Sequence, residues 1–259
     1  MLAVAGGKGG CGKTTTALGL ARALARQGRS PLVLDGDCDM PDLHLLADID
    51  RDDGVDALAR GAPLSRVCRQ PAALPGVSVV TAGRPTRVGP GLRATRDWSG
   101  PVLVDCPAGI GPDATRPLRE ADTTLLVSTD DSQSVDDTRR TATAARELGA
   151  PPAGVLLRTT AGDPPARVAD CPVLATPPDV AEPLRSRHLS RVWRSIADRL
   201  FDASDSEQTR SRARSPGERQ TRPAPGNSTR RRTRRQTARS GEDPPRRSRH
   251  ERVTDPTRR

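Results

Sequence analysis

The run Gly6-Gly7-Lys8-Gly9-Gly10-Cys11-Gly12-Lys13-Thr14-Thr15 follows a short apolar stretch, Leu2 to Ala5, and precedes a helical pattern. From Gly7 to Thr14 it satisfies the spacing G-x-x-x-x-G-K-[ST], and strand, loop and helix are the context in which that spacing builds a phosphate-binding turn. A strand must end and a helix begin at the same place, which fixes a β-α unit at the start of the chain. Gly7, Gly9, Gly10 and Gly12 let backbone N–H groups turn inward around a phosphate, where side chains would obstruct them. The helix that follows adds its positive amino-terminal end. In such a loop Lys13 reaches the β- and γ-phosphates of a nucleotide and Thr14 ligates Mg²⁺.

Of the 42 lysines and arginines in the chain, only Lys8 and Lys13 are lysines, and both lie in this loop. A compact ammonium on a flexible stem fits between phosphate oxygens inside a ring of backbone, where a planar guanidinium is too wide. Lys8 is not required by an ordinary phosphate loop. Gly7-Lys8-Gly9-Gly10-Cys11-Gly12-Lys13-Thr14-Thr15 resembles the deviant Walker A motif of the MinD/ParA ATPases. The resemblance implies ATP and Mg²⁺ as cofactors, with Gly7 to Thr15 as the ATP-binding loop and Lys8 and Lys13 as catalytic residues. It further implies a homodimer formed on ATP binding, in which Lys8 acts in trans on the nucleotide of the partner subunit.

Three later segments extend the resemblance. Asp35-Gly36-Asp37-Cys38-Asp39-Met40-Pro41-Asp42-Leu43 is similar to the family's switch I, in which Asp37 would position the attacking water and support the Mg²⁺ shell. Asp42 stands where family members often carry asparagine. Val102-Leu103-Val104-Asp105-Cys106-Pro107-Ala108-Gly109-Ile110 looks like a Walker B strand with switch II, which implies that Asp105 takes a Mg²⁺-bound water and Gly109 turns its N–H toward the γ-phosphate. Its Asp-x-Pro-Ala-Gly-Ile pattern is closer to MinD than to ParA. Thr176-Pro177-Pro178-Asp179 is similar to the segment beside the adenine, so Pro177 and Asp179 join the expected ATP site. Within Gly154 to Arg158, Leu157 replaces a residue that is often polar in the family, which leaves strict adenine specificity open.

Short apolar runs alternate with helical patterns: Leu2 to Ala5, Pro31 to Leu34, Val77 to Val80, Val102 to Val104, Thr124 to Val127 and Val155 to Leu157. Each is short enough for a buried parallel strand. Ala17, Leu18, Ala21, Leu24 and Ala25 share a helical face, with Gly28 where a cap belongs, and Asp131 to Leu148 and Val180 to Phe201 read as later helices. The expected fold is α/β, a mostly parallel open sheet with helices on both faces, of the P-loop NTPase type. Between Val80 and Val102 there is little room for a full helix.

Residues 1–200 hold 25 Lys and Arg against 24 Asp and Glu, whereas residues 201–259 hold 17 Arg against 8 acids. Past Phe201 the only strong apolar residue is Val253, too little to offset the entropy of ordering. The expected organisation is an ATPase domain over 1–204 and an Arg-rich disordered tail over 205–259. That tail lacks aromatic residues for base stacking and suits weak contact with anionic membrane or nucleic acid. Its Arg, Pro, Ser and Thr composition equally matches GC-rich sequence translated in a shifted frame. No apolar stretch approaches about 18 residues, so no spanning helix is expected. Met1 opens directly onto the first strand, so no secretory signal is expected, and the location is expected to be cytoplasmic, with the resemblance implying peripheral attachment at the inner membrane surface. The five cysteines contain no C-x-x-C pair, which argues against a disulfide framework or zinc knuckle.

The last helical pattern carries Leu189, Val192, Trp193, Ile196, Ala197, Leu200 and Phe201 opposite Arg187, Arg191, Arg194 and Arg199. Such a stripe closes an α/β domain more readily than it coats a membrane. The resemblance implies a slow ATP hydrolase acting as a dimeric spatial switch, positioning division or another machinery through an activating or cargo protein. Two other readings stay open. One is a ParA-like DNA segregation ATPase using the basic tail, and the other is a nucleotide-binding adaptor with little turnover.

Overall fold

A computed structural model of the protein describes residues 1–83, 88–159 and 163–202. The Arg-rich tail and the expected boundary at residue 204 lie outside the described residues. Eight strands form one sheet: β1 (Leu2–Gly6), β2 (Leu32–Asp35), β3 (Ser78–Val80), β4 (Val102–Ala108), β5 (Thr123–Thr129), β6 (Pro152–Arg158), β7 (Arg167–Val168) and β8 (Cys171–Ala175), in the order β3-β2-β4-β1-β5-β6-β8-β7. All neighbours run parallel except β7, which turns back antiparallel on β8.

Period-two alternation sorts the strand side chains onto the two faces. Leu2, Val4, Val33, Leu103, Leu125 and Val127 pack with helices α1 (Lys13–Arg26) and α8 (Arg187–Ala197). Ala3, Ala5, Leu32, Leu34, Val102 and Val104 pack on the other face. There they meet α3 (Gly54–Ala59), after the short α2 (Leu43–Ala47), and then α4 (Leu64–Val67), α5 (Val88–Arg93) and α6 (Pro112–Glu120), with α7 (Ser132–Glu147) alongside. Both faces are covered, as the continuous apolar runs of a parallel sheet require. Among the described residues between Val80 and Val102, the six-residue α5 is the one helix, in keeping with the little room expected there.

Two features differ from the expectations. The apolar pattern from Val180 to Phe201 is not one helix. Glu182 precedes Pro183 and is held out of the α region (φ −122°, ψ 74°), a single 3₁₀ turn spans Pro183–Arg185, and Ser186 then caps α8 by accepting from Leu189 N at 3.3 Å. A wide turn, Asp198–Asp202, closes the described chain. The hairpin β7–β8 carried no strand signal, because Pro172 interrupts it and its turn residues, Ala169 and Asp170, adopt positive φ without a glycine.

The stripe on α8 is buried as expected for a closing helix: Leu189, Trp193, Ile196 and Ala197 face the sheet and α1. Gly19 permits that approach, since a Cβ there would stand 2.4 Å from Trp193 Nε1. Arg187, Arg191, Arg194 and Arg199 stay exposed. Among the described residues no helix is long and apolar enough to cross a membrane.

Candidate functional site

Strands β1, β2 and β4 end side by side, and each end carries chemistry. Val4 and Asp35 are both register partners of Asp105, so the carboxyl ends of β2 and β4 present two aspartates next to the loop that leaves β1. Open parallel sheets bind ligands at this edge, where connections depart to opposite faces.

The loop between β1 and α1 is shaped by its glycines. Gly10 and Gly12 have φ of 74° and 100°, values a side chain disfavours, and Gly12 is the residue from which α1 starts. Around Gly9 and Gly10 nothing approaches within 4 Å of a built Cβ, so the backbone there borders open space. Gly7 is the opposite case. A Cβ on it would lie 2.1 Å from Asp137 Cβ, so the loop is pressed against the second turn of α7. Cys11 is buried and its thiol is pushed up by burial.

Lys13 is buried and donates to Lys8 O at 3.3 Å, across the turn it belongs to. Lys8 is half-exposed and its ammonium lies 3.4 Å from Asp131 Oδ2. Asp131 also caps α7, its Oδ1 accepting from Ser134 N at 2.9 Å. Thr14 Oγ1 donates to Asp42 Oδ1 at 2.9 Å. Asp42, where the sequence departs from the family's usual asparagine, therefore belongs to the site. Asp37 is half-buried and its Oδ1 accepts from Asp39 N at 3.2 Å and Met40 N at 3.0 Å, which folds switch I back on itself.

The carboxyls at the strand ends are strongly perturbed. Burial pushes Asp105 up to about 7, against the opposing pull of the Thr14 hydroxyl. Burial, followed by the charge of Asp105, pushes Asp35 up to about 8. Asp35 Oδ2 and Asp105 Oδ1 are buried with no hydrogen-bond partner in the protein. An orphaned carboxylate oxygen beside a hydroxyl suits a hard cation with its water shell, and the open glycine backbone with two ammonium groups suits a polyphosphate. Gly109 has φ 85°, and its N–H bonds Gly6 O at 3.3 Å. Next to it Ile110 is exposed, as is Met40 on switch I.

A cavity of about 300 Å³ adjoins the loop, bounded by Gly12, Thr15, Arg158, Pro177, Asp179 and Trp193. Arg158 pairs with Asp179 at 2.7 Å across its mouth. Leu157 does not face this cavity; it is buried with Leu126, Ala142 and Val168 on the other side of the sheet. Its apolar side chain therefore leaves the wall beside Pro177 unchanged.

The expected site residues thus lie in two adjoining places, the loop with its acidic rim and the cavity beside it, with Gly109 at the foot of the loop, its N–H bonded to Gly6 O. Asp35, Asp131, Arg158 and Trp193 were not picked out from sequence. For Asp35 a signal existed: both apolar runs Val33-Leu34 and Leu103-Val104 end in aspartate. The five cysteines are free thiols, and among the described residues no group of His, Cys, Asp and Glu is arranged to hold a metal by itself.

Residues 2–202 match the family described as the CobQ/CobB/MinD/ParA nucleotide binding domain. An uncharacterized ATP-binding protein of Methanocaldococcus jannaschii is 30% identical over 173 residues, which cover 62% of this chain and 65% of that protein. The septum site-determining protein MinD of Synechocystis is 28% identical over 54% of this chain and 57% of its own length. The chain thus spans less than two thirds of either relative. Among solved structures, MinD of Pyrococcus horikoshii complexed with Mg-ADP superposes with a TM-score of 0.70 at 22% identity, covering 80% of this chain and 97% of that one, a likeness of fold. With the phosphate loop, the two acidic strand ends and a family match spanning nearly every described residue, the chain belongs to the CobQ/CobB/MinD/ParA nucleotide-binding family.

Proposed function

We propose that the chain is a MinD/ParA-type ATPase in which ATP and Mg²⁺ close a homodimer and hydrolysis releases it. One observation carries this reading: Lys8, Lys13 and Thr14 share a single loop beside two buried aspartates that leave oxygens unpartnered. The M. jannaschii relative, named for ATP binding, and the Mg-ADP complex of the P. horikoshii protein support the choice of nucleotide and metal.

Bound ATP supplies the phosphoanhydride to be cleaved, and Mg²⁺ neutralises charge on its phosphate oxygens. The backbone of Gly9 to Gly12 offers N–H groups to the phosphates. Lys13 would exchange the carbonyl of Lys8 for a phosphate oxygen, and Thr14 would hold the cation with the hydroxyl that it otherwise donates to Asp42. Asp105 would help hold the cation through a water of its shell, and the cation's charge would favour the ionised carboxylate. Asp37 orients the attacking water, and Gly109 turns its N–H toward the γ-phosphate by leaving Gly6. Pro177 and Asp179 flank the base. Lys8 leaves Asp131 and reaches the partner's phosphates, so the γ-phosphate decides whether the dimer is closed. Such a switch positions a cargo or a division machinery through an activating protein, held in the cytoplasm or at the inner membrane surface.

The test is ATP binding and phosphate release by wild type and Lys13→Ala. Binding and slow turnover in wild type, both lost in the variant, are expected; equal binding and hydrolysis by the two proteins refutes the reading. Nucleotide binding without phosphate release would make the chain an adaptor.

A further inference from the structure

Asp42 stands at the N-cap of α2, where an aspartate normally accepts from the helix's own N–H groups, yet its side chain makes no capping bond. Asp131, in the same position on α7, does cap its helix. The carboxylate of Asp42 is turned instead toward the phosphate loop, where its Oδ1 accepts from Thr14 Oγ1 at 2.9 Å. Among the described residues no lysine or arginine forms an ion pair with it. An exposed aspartate that neither caps its helix nor meets a cation of the protein thus directs its charge at the hydroxyl through which the loop would hold Mg²⁺.

The hydrogen bond alone does not require an acid here. An asparagine would offer Thr14 the same accepting oxygen, so what the aspartate adds is charge. That charge acts in opposite directions on the two parts of a metal-bound nucleotide. A hard cation on Thr14 Oγ1 arrives beside a carboxylate, the oxygen ligand that such ions and their water shells favour. Phosphate oxygens brought to the same loop without a cation meet a like charge.

We propose that Asp42 is a specificity-determining residue for the cation: placed against Thr14, its carboxylate strengthens the hold on a divalent ion and opposes a nucleotide that arrives without one. The proposal rests on the ATP and Mg²⁺ reading above and adds to it a coupling between the two ligands that the phosphate loop alone does not provide.

The experiment uses the full chain and ADP, which binds without turnover. Dissociation constants are measured by titration calorimetry in excess Mg²⁺ and in EDTA, for wild type, Asp42→Asn and Asp39→Asn. Asp42→Asn keeps the shape of the side chain and an acceptor for Thr14. Asp39→Asn removes the same charge from the same segment, at a residue whose backbone N–H bonds Asp37. Wild type is expected to bind ADP more weakly in EDTA than in Mg²⁺. In Asp42→Asn the ratio of the two constants should shrink about fivefold, the effect of one unit charge at close range in water, with binding in EDTA becoming tighter. Asp39→Asn should leave the ratio within about twofold of wild type, as expected for an exposed charge that does not touch the loop. A ratio unchanged in Asp42→Asn overturns the proposal. So does an equal fall in Asp39→Asn, because the charge of the segment, and not the contact with Thr14, then sets the coupling. If wild type binds ADP equally with and without Mg²⁺, the proposal falls while nucleotide binding stands. If wild type binds ADP under neither condition, the ATPase reading falls, and with it this one.

Discussion

Asp35 and Asp105 are register partners on adjacent parallel strands, and each buries a carboxylate oxygen that nothing in the protein satisfies. Burial resists their ionisation, reinforced at Asp35 by the charge of Asp105 and at Asp105 by that of Asp42, so that Asp35 stands at about 8 and Asp105 at about 7. The site is thus set up for something positive to complete it.

A pH dependence follows for the nucleotide-free protein. Unfolding returns both carboxyls to their ordinary acidic values, so between about pH 4 and pH 8 the folded chain holds protons that the unfolded chain has lost. Their contribution to stability is present at low pH and is lost as pH rises through about 7 and 8. The melting temperature is expected to fall over that window, and Asp35→Asn to flatten the fall. Calorimetric scans across pH check this; an unchanged slope in the variant contradicts it.

Gly7→Ala should damage the site from behind. The added methyl would meet Asp137 Cβ at 2.1 Å and its carbonyl carbon at 2.4 Å, and neither can yield without moving α7 or the loop. A loss of stability of about 1–3 kcal/mol is expected, together with loss of the thermal shift produced by ATP. Thermal shift with and without nucleotide reads both effects.

Asp131 has two separable roles. Asp131→Ala removes the cap of α7 and should cost about 1 kcal/mol, whereas Asp131→Asn keeps a capping oxygen and should stay within about 0.5 kcal/mol of wild type. Urea denaturation distinguishes them. Equal losses in the two variants would mean that the charge, rather than the cap, holds the helix start.

Lys8→Ala should leave the monomer intact, because its ion pair with Asp131 is largely exposed and such pairs contribute little. On a sizing column with ATP, wild type should elute as a dimer and the variant as a monomer. An ATP-dependent dimer of unchanged size in the variant would remove Lys8 from the trans role.

What could be read from the chain was what is local along it. The turn from β1 into α1 has its conformation written in consecutive glycines, and the alternation of apolar runs with helical periods gives the layered sheet. The partner of Lys8 was not readable, since Asp131 lies 123 residues away and meets it only through the pairing of β1 with β5. The side to which Leu157 points depends on register in the sheet, which composition does not encode. The β7–β8 hairpin escaped because Ala169 and Asp170 adopt a backbone conformation for which they have little intrinsic preference. The start of α8 was misjudged because the apolar period continues through residues that Pro183 excludes from a helix.

The chain as a whole carries a formal net charge of +10, yet Asp35, Asp37, Asp42 and Asp105 crowd the rim of the phosphate loop. A naked polyanion approaching this crevice meets Asp37 and Asp42 first, with the buried carboxyls of Asp35 and Asp105 behind them and two ammonium groups to draw it in. The same anion escorted by a divalent cation presents to those acids the one charge they lack. A crevice of this charge would favour the metal-complexed form of such a ligand over the free anion.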